Sequence, residues 1–312
     1  MEILSELRYP TKWYGKVITV GLALVIFALL AAVTVAGFLL YRIASPAQHR
    51  ADINTAGFPG HPDAVEFTVP GVGSREGWFF PGLRKAPTIV LCHGYQSNRG
   101  ELLTLVTALQ DHQYNVFLFD FASHGSSPGY STLGYRETRE LRAAMAAVTA
   151  RDDVDRYRFG IWGADLGGYA ALAVAADDVR IRAVAVDSMY DRPADMLHLQ
   201  VKRSGLGMLP LVERFVRLGF RWLNRPYRHA PPLSQRVSRL ADVAKLYISA
   251  SDEPELAEST REIFLRSPEP REQVMLGRGN YVAMLDEEKR NYENRIVSFF
   301  LTNLPPSGQP RR

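Results

Sequence analysis

The apolar positions of this chain form one long block followed by a series of short ones. Val17–Tyr41 is an uncharged, predominantly apolar run of about 25 residues, long enough at about 1.5 Å per residue to cross the roughly 30 Å hydrocarbon core with some tilt. Trp13 and Tyr14 precede it and Tyr41 closes it, where interfacial aromatic anchors belong. A cleaved signal peptide carries an apolar region of only about 7–15 residues, so the length favours an uncleaved anchor. Arg8, Lys12 and Lys16 lie before the run, and Arg42 and Arg50 follow it. That slight excess places the N-terminus in the cytoplasm and the rest of the chain outside.

The Pro-, Gly- and Ala-rich stretch Ser45–Pro62 reads as a linker. Beyond it the pattern alternates. Val65–Val69 and Gly77–Phe80 predict two antiparallel strands. Thr88–Cys92 is apolar without alternation, as a strand buried on both faces should be. A helix over Arg99–His112, a strand over Asn115–Asp120 and a helix over Tyr135–Ala150 follow. Then come a strand over Tyr157–Trp162, a small-residue helix over Tyr169–Ala176, and strands over Ile181–Val186, Lys245–Ser249 and Gln273–Leu276. Strands alternating with helices imply a mostly parallel sheet covered on both faces.

The alternation is interrupted between Ser188 and Leu240, a stretch long enough to need its own structure. Within it, Leu209–Arg225 predicts an amphipathic helix, with Pro210 in its first turn and Pro226 beyond its end. Leu211, Phe215, Leu218 and Trp222 share one face, which Val212, Val216, Gly219 and Leu223 widen. Arg214, Arg217, Arg221 and Arg225 form a basic stripe beside it. Such a helix suits either a cap over a pocket or a membrane surface. Tyr292, Ile296, Phe299 and Phe300 give the last helix, Asp286–Asn303, a core-facing side. The predicted order is an N-terminal flank (1–16), an anchor (17–41), a linker (42–63), an α/β body (64–304) with a helical insertion (188–240), and a tail (305–312).

Composition changes little. The net charge of +4 is too mild to support nucleic-acid binding, and no motif for it is present. Contact with an anionic membrane surface accounts for it more simply. The single cysteine, Cys92, excludes an intrachain disulfide. No metal-ligand cluster stands out, and no cofactor is implied.

The chemistry gathers around Gly163-Ala164-Asp165-Leu166-Gly167-Gly168, a tight small-residue turn between a strand and a helix. Such a turn resembles the nucleophile elbow of the α/β-hydrolase fold, in which the central residue is commonly Ser and is here Asp165. Three further segments carry the resemblance. Leu91-Cys92-His93-Gly94-Tyr95 is similar to the His-Gly motif after the third strand. Asp120-Phe121-Ala122-Ser123-His124-Gly125-Ser126-Ser127 resembles the Asp-x-x-Gly-His-Gly-x-Ser turn of serine aminopeptidase-like and monoglyceride-lipase-like hydrolases. Ser249-Ala250-Ser251-Asp252-Glu253-Pro254 stands where those relatives have His-Gly-x-x-Asp-Pro.

The resemblance implies an eight-stranded, mostly parallel sheet with a helical cap, covering about Val65–Asn303. It also implies roles. Tyr95 and Leu166 supply the two oxyanion-hole N–H groups, with His93 and Gly94 shaping the loop, and His124 has a structural role. Glu253 matches the triad acid, with Asp252 its neighbour and Asp191 a secondary candidate. The triad histidine belongs in a Gly-x-Gly-His pattern, and here the pattern reads Gly277-Arg278-Gly279-Asn280. No histidine follows His229 in the sequence, so a small alignment shift does not restore the base.

Epoxide hydrolases and haloalkane dehalogenases use an Asp nucleophile, but they need a histidine to hydrolyse the ester intermediate. His93-Gly94-Tyr95-Gln96 also lacks the proline those enzymes commonly carry there. The sequence therefore reads as a membrane-anchored hydrolase scaffold without its standard triad, binding a hydrophobic small molecule or a partner. The competing expectation is an active hydrolase on ester or lipid-like substrates. In that reading Asp165 is nucleophile or base, assisted by Glu253 or by a histidine of the insertion such as His198.

Overall fold

The computed structural model describes residues 12–47 and 62–306. Most of the predicted N-terminal flank, the central part of the linker and the end of the tail lie outside them. The chain divides into two compact units. One is Met1–Ile43 with Leu197–Arg228; the other is Ala44–Met196 with His229–Arg312.

The larger unit carries an eight-stranded sheet. Its strands are β1 (Asp63–Val69), β2 (Gly73–Phe80), β3 (Thr88–Cys92), β4 (Asn115–Phe119), β5 (Phe159–Ala164), β6 (Ile181–Asp187), β7 (Ala244–Ala250) and β8 (Arg271–Leu276). The order across the sheet is β1-β2-β4-β3-β5-β6-β7-β8. β2 pairs antiparallel with β1 and with β4, and every other neighbour is parallel. The unbroken apolar runs read as central strands are buried along their length, as in β3 and β4. β1 and β2 extend beyond the apolar runs that announced them, because many of their residues face water.

Helices α2 (Leu103–Gln110), α3 (Tyr135–Thr149) and α4 (Asp165–Ala175) sit between the strands in sequence. A short helix, α7 (Leu233–Arg236), packs on α4; α8 (Pro254–Arg266) and α9 (Asp286–Asn303) complete the body. The predicted helix Arg99–His112 starts as a single 3-10 turn, Arg99–Leu102, before becoming α2. Asn98 causes the offset: its side chain accepts from Gly100 N–H while Glu101 reaches back to Asn98 N–H. Trp162 is the centre of the core beneath α9. Its indole N–H donates to the Tyr292 hydroxyl at 3.1 Å, and its ring stands edge-on to Tyr281.

The other unit contains α1 (Trp13–Ala44), the greater part of α5 (Pro193–Arg203), and α6 (Pro210–Leu223). α1 is long and apolar enough to cross a membrane. Its side chains are exposed or half-exposed from Val17 to Val35, after which Ala36, Leu39 and Ile43 are buried. A Cβ on Gly219 of α6 would stand 2.7 Å from Leu40 of α1, so the glycine lets the two helices approach closely. The apolar face predicted for α6 is corrected here. Val212, Val216 and Phe220 form its buried stripe, whereas Leu211, Leu218 and Trp222 point outward with 49%, 60% and 76% exposure. Glu213 accepts from Arg217 and pairs with His198 Nδ1 at 2.8 Å, so His198 is engaged within its own unit.

Candidate active site

β5 runs to Ala164 and α4 begins at the next residue, so the strand-to-helix reversal is made by Asp165 alone. Its φ of +36° is a backbone state that L-residues rarely hold. The reversal is feasible because Gly163 and Gly167 face each other across it. A Cβ on Gly163 would lie 2.6 Å from the Gly167 carbonyl carbon.

The two N–H groups expected to form an oxyanion hole both point at this residue. Tyr95 N–H donates to Asp165 Oδ1 at 2.8 Å, and Leu166 N–H donates to the same oxygen. Gly94 makes room, since a Cβ there would stand 2.7 Å from Asp165 Oδ2. A carboxylate oxygen of the chain itself thus takes both donors that the resemblance assigns to an oxyanion hole. The start of α4 adds a favourable dipole for the negative charge.

Loops at the strand ends hold this arrangement. His93 is buried and uses both ring nitrogens: Nδ1 pairs with the Gly94 carbonyl at 2.8 Å, and Nε2 accepts from Phe121 N–H at 3.0 Å. Burial lowers its pKa to about 4, which keeps it neutral. His124 is likewise lowered to about 4, first by burial and then by His93, and its Nδ1 pairs with the Ala122 carbonyl. Its ring lies 5.7 Å from that of Tyr95. Both histidines hydrogen-bond to loop backbone.

The other positions of the expected triad take different partners. Asn280 is exposed, and its side-chain oxygen accepts from Val282 N–H, capping the 3-10 turn Tyr281–Ala283. Asp252 reaches the same loop, accepting from Gly279 N–H at 2.9 Å. Glu253 is the N-cap residue of α8, and its own N–H donates to the Ala250 carbonyl. The Asp252 carboxylate thus contacts the loop carrying position 280. Asp191 accepts from Ser234 N–H at the start of α7 at 2.7 Å.

One acid escaped the sequence reading. Asp187 ends β6 directly beside Ala164 of β5 and is wholly buried. Tyr292 O–H donates to its Oδ2 at 2.8 Å, and Ser188 O–H donates to its Oδ1 at 2.8 Å. Burial raises its pKa from 3.8 to about 7; the two hydroxyls pull it down, while the charges of Asp165 and Asp252 add to the rise. A raised carboxyl pKa means stability is fully present below about 4 and is lost as pH rises through about 7. Asp187→Asn keeps an acceptor but no charge. The stability of this variant should therefore fall less than the wild type's between acid and mildly alkaline pH, by on the order of 4 kcal/mol for a shift from 3.8 to about 7. Thermal denaturation across pH checks this.

Tyr292 also walls a cavity of about 540 Å³ that is lined in part by Ile248, Val274, Leu276 and Met284. Glu287, Glu288, Asn291 and Arg295 also line it. Among the described residues no group of His, Cys, Asp and Glu is placed to hold a metal ion.

Comparison with known proteins bears on the fold. A family model described as the alpha/beta hydrolase family matches residues 89–297. The chain is 25% identical over 258 residues to the uncharacterized protein YfhR of Escherichia coli O157:H7, covering 80% of this chain and 84% of that one. It is 31% identical over 120 residues to the uncharacterized protein Rv2307c of Mycobacterium tuberculosis, covering 38% and 42%. Among solved structures, the Pyrococcus furiosus esterase Pf2001 superposes with a TM-score of 0.64 at 18% identity, over 85% of this chain and 99% of that one. The alpha/beta hydrolase GrgF from Penicillium sp. sh18 gives 0.60 at 19% identity, over 78% and 99%. The structural likenesses speak to the fold alone. With a family model matching more than half of its length, the chain belongs to the alpha/beta hydrolase family.

Proposed function

We propose that this chain is a membrane-anchored pseudohydrolase that binds a hydrophobic small molecule or a partner and does not turn over esters. α1 is its single membrane span, with the N-terminus in the cytoplasm and the α/β body outside. The observation that carries the reading is the seat of Asp165 Oδ1 on both Tyr95 N–H and Leu166 N–H. An ester carbonyl needs those donors as it turns into an oxyanion, and losing even one costs about 10²–10³ in rate. Here it must displace an anion from them. Asn280 cannot pass protons, and its side chain serves as a cap. The cavity bounded by Tyr292 supports a ligand-binding role.

The same seat supports a second reading. Holding Oδ1 on two backbone donors fixes the carboxylate, as a nucleophilic Asp needs before it attacks carbon with its other oxygen. The two readings separate when the full-length protein is incubated with acyl esters, epoxides and haloalkanes while product and intact mass are followed. Neither turnover nor adduct supports the pseudohydrolase. A stable adduct on wild type that is absent in Asp165→Asn means attack without release. Steady turnover lost in Asp165→Asn means an active hydrolase and ends the first reading.

A further inference from the structure

The outward side of α6 has no role in either reading of the elbow. Helix geometry sets Leu211, Leu218 and Trp222 in one stripe, opposite the buried Val212–Val216–Phe220 stripe. Arg214 and Arg221, both exposed, run along one flank of it, and the exposed Arg225 follows in the 3-10 turn just beyond the end of the helix. An exposed apolar stripe bordered by cations is costly in water and favourable at a lipid headgroup boundary.

The position of α6 beside α1 identifies the surface. The exposed part of α1, Val17–Val35, is about 28 Å long at 1.5 Å per residue, close to the roughly 30 Å hydrocarbon core. The buried stripe Ala36, Leu39 and Ile43 begins where that length runs out, and Leu40 is where Gly219 of α6 packs. α6 therefore meets α1 at the depth where a spanning helix leaves the hydrocarbon.

From this placement we infer that α6 docks on the surface of an anionic bilayer. Leu211, Leu218 and Trp222 enter the acyl boundary, and the flanking arginines pair with anionic headgroups. Each such charge near an anionic surface contributes on the order of 1 kcal/mol. The inference rests on α1 being a membrane span, and its test separates the two.

Cys92 is wholly buried, so a Cys92→Ser background leaves only introduced thiols. Full-length protein carrying a nitroxide at Leu218→Cys is reconstituted into phosphatidylcholine vesicles with and without phosphatidylglycerol. Phe27→Cys reports the span and Glu258→Cys reports solvent. Collisions with oxygen and with a water-soluble nickel complex are measured at each site. With phosphatidylglycerol present, the label at 218 should lose its collisions with nickel and resemble the label at 27. Adding Arg221→Gln and Arg225→Gln should return it toward water. A label at 218 as wet as the one at 258, while the one at 27 is in lipid, overturns the docking and leaves the anchor standing. A wet label at 27 overturns the anchor and the docking with it. No effect of the arginine changes overturns the anionic-lipid assignment.

Discussion

The double variant Asp165→Ser, Asn280→His should hydrolyse activated esters that the wild type leaves intact. The first change removes the carboxylate from the Tyr95 and Leu166 N–H groups and leaves a hydroxyl at the elbow. The second returns a base to the loop that Asp252 already contacts through Gly279 N–H. A general base contributes about 10²–10⁴-fold, so the double variant should exceed Asp165→Ser alone by about that factor. Asn280→His alone should gain nothing, because an occupied oxyanion hole blocks the step before any proton moves. Initial rates on a p-nitrophenyl ester for all four proteins give the comparison. Equal rates for the single and double variants would mean that position 280 does not face the elbow.

Arg75→Met should unfold the body more readily than any single change at the elbow. Arg75 of β2 and Glu140 of α3 form a buried pair at 3.1 Å, and Arg75 also donates to the Pro128 carbonyl. Burial raises the Glu140 pKa to about 7, and the charge of Glu137 adds to this; the Ala122 N–H and Arg75 oppose it. Removing the cation leaves a buried carboxylate unpaired, which costs about 3–5 kcal/mol. The loss should be largest at alkaline pH and shrink in acid, where Glu140 takes up a proton. Arg75→Met with Glu140→Gln should recover most of it. The site is affected as well, since Glu140 Oε2 accepts from Ala122 N–H in the loop that carries His124. Urea denaturation of the wild type and both variants across pH measures the effect.

What was legible in the sequence follows from which interactions are local. Central strands are buried on both faces, so Thr88–Cys92 and Asn115–Phe119 stand out as apolar runs. The elbow is visible because close backbone contact at Gly163 and Gly167 admits nothing larger. α8 carries only a thin buried stripe, Leu256, Thr260 and Ile263, and announces itself weakly. Asp187 had no motif, and its partner Tyr292 lies 105 residues away. Periodicity located the apolar positions of α6 but not which stripe turns inward, a choice made by packing at Gly219 and Leu40. The hydrogen bond from Tyr95 N–H to Asp165 Oδ1 depends on the rotamer of Asp165 and on a loop 70 residues earlier, beyond what residue spacing conveys.

The backbone amides of Tyr95 and Leu166 report directly on whether Asp165 Oδ1 holds both N–H groups. Selective ¹⁵N labelling of tyrosine and leucine in the full-length protein, with Asp165→Ala for assignment, gives their proton shifts. Charge-assisted hydrogen bonds are short and strong, so both amide protons should lie well downfield in the wild type. They should move upfield together in Asp165→Ala. Ordinary shifts in the wild type, unmoved by the substitution, would mean that the carboxylate sits elsewhere.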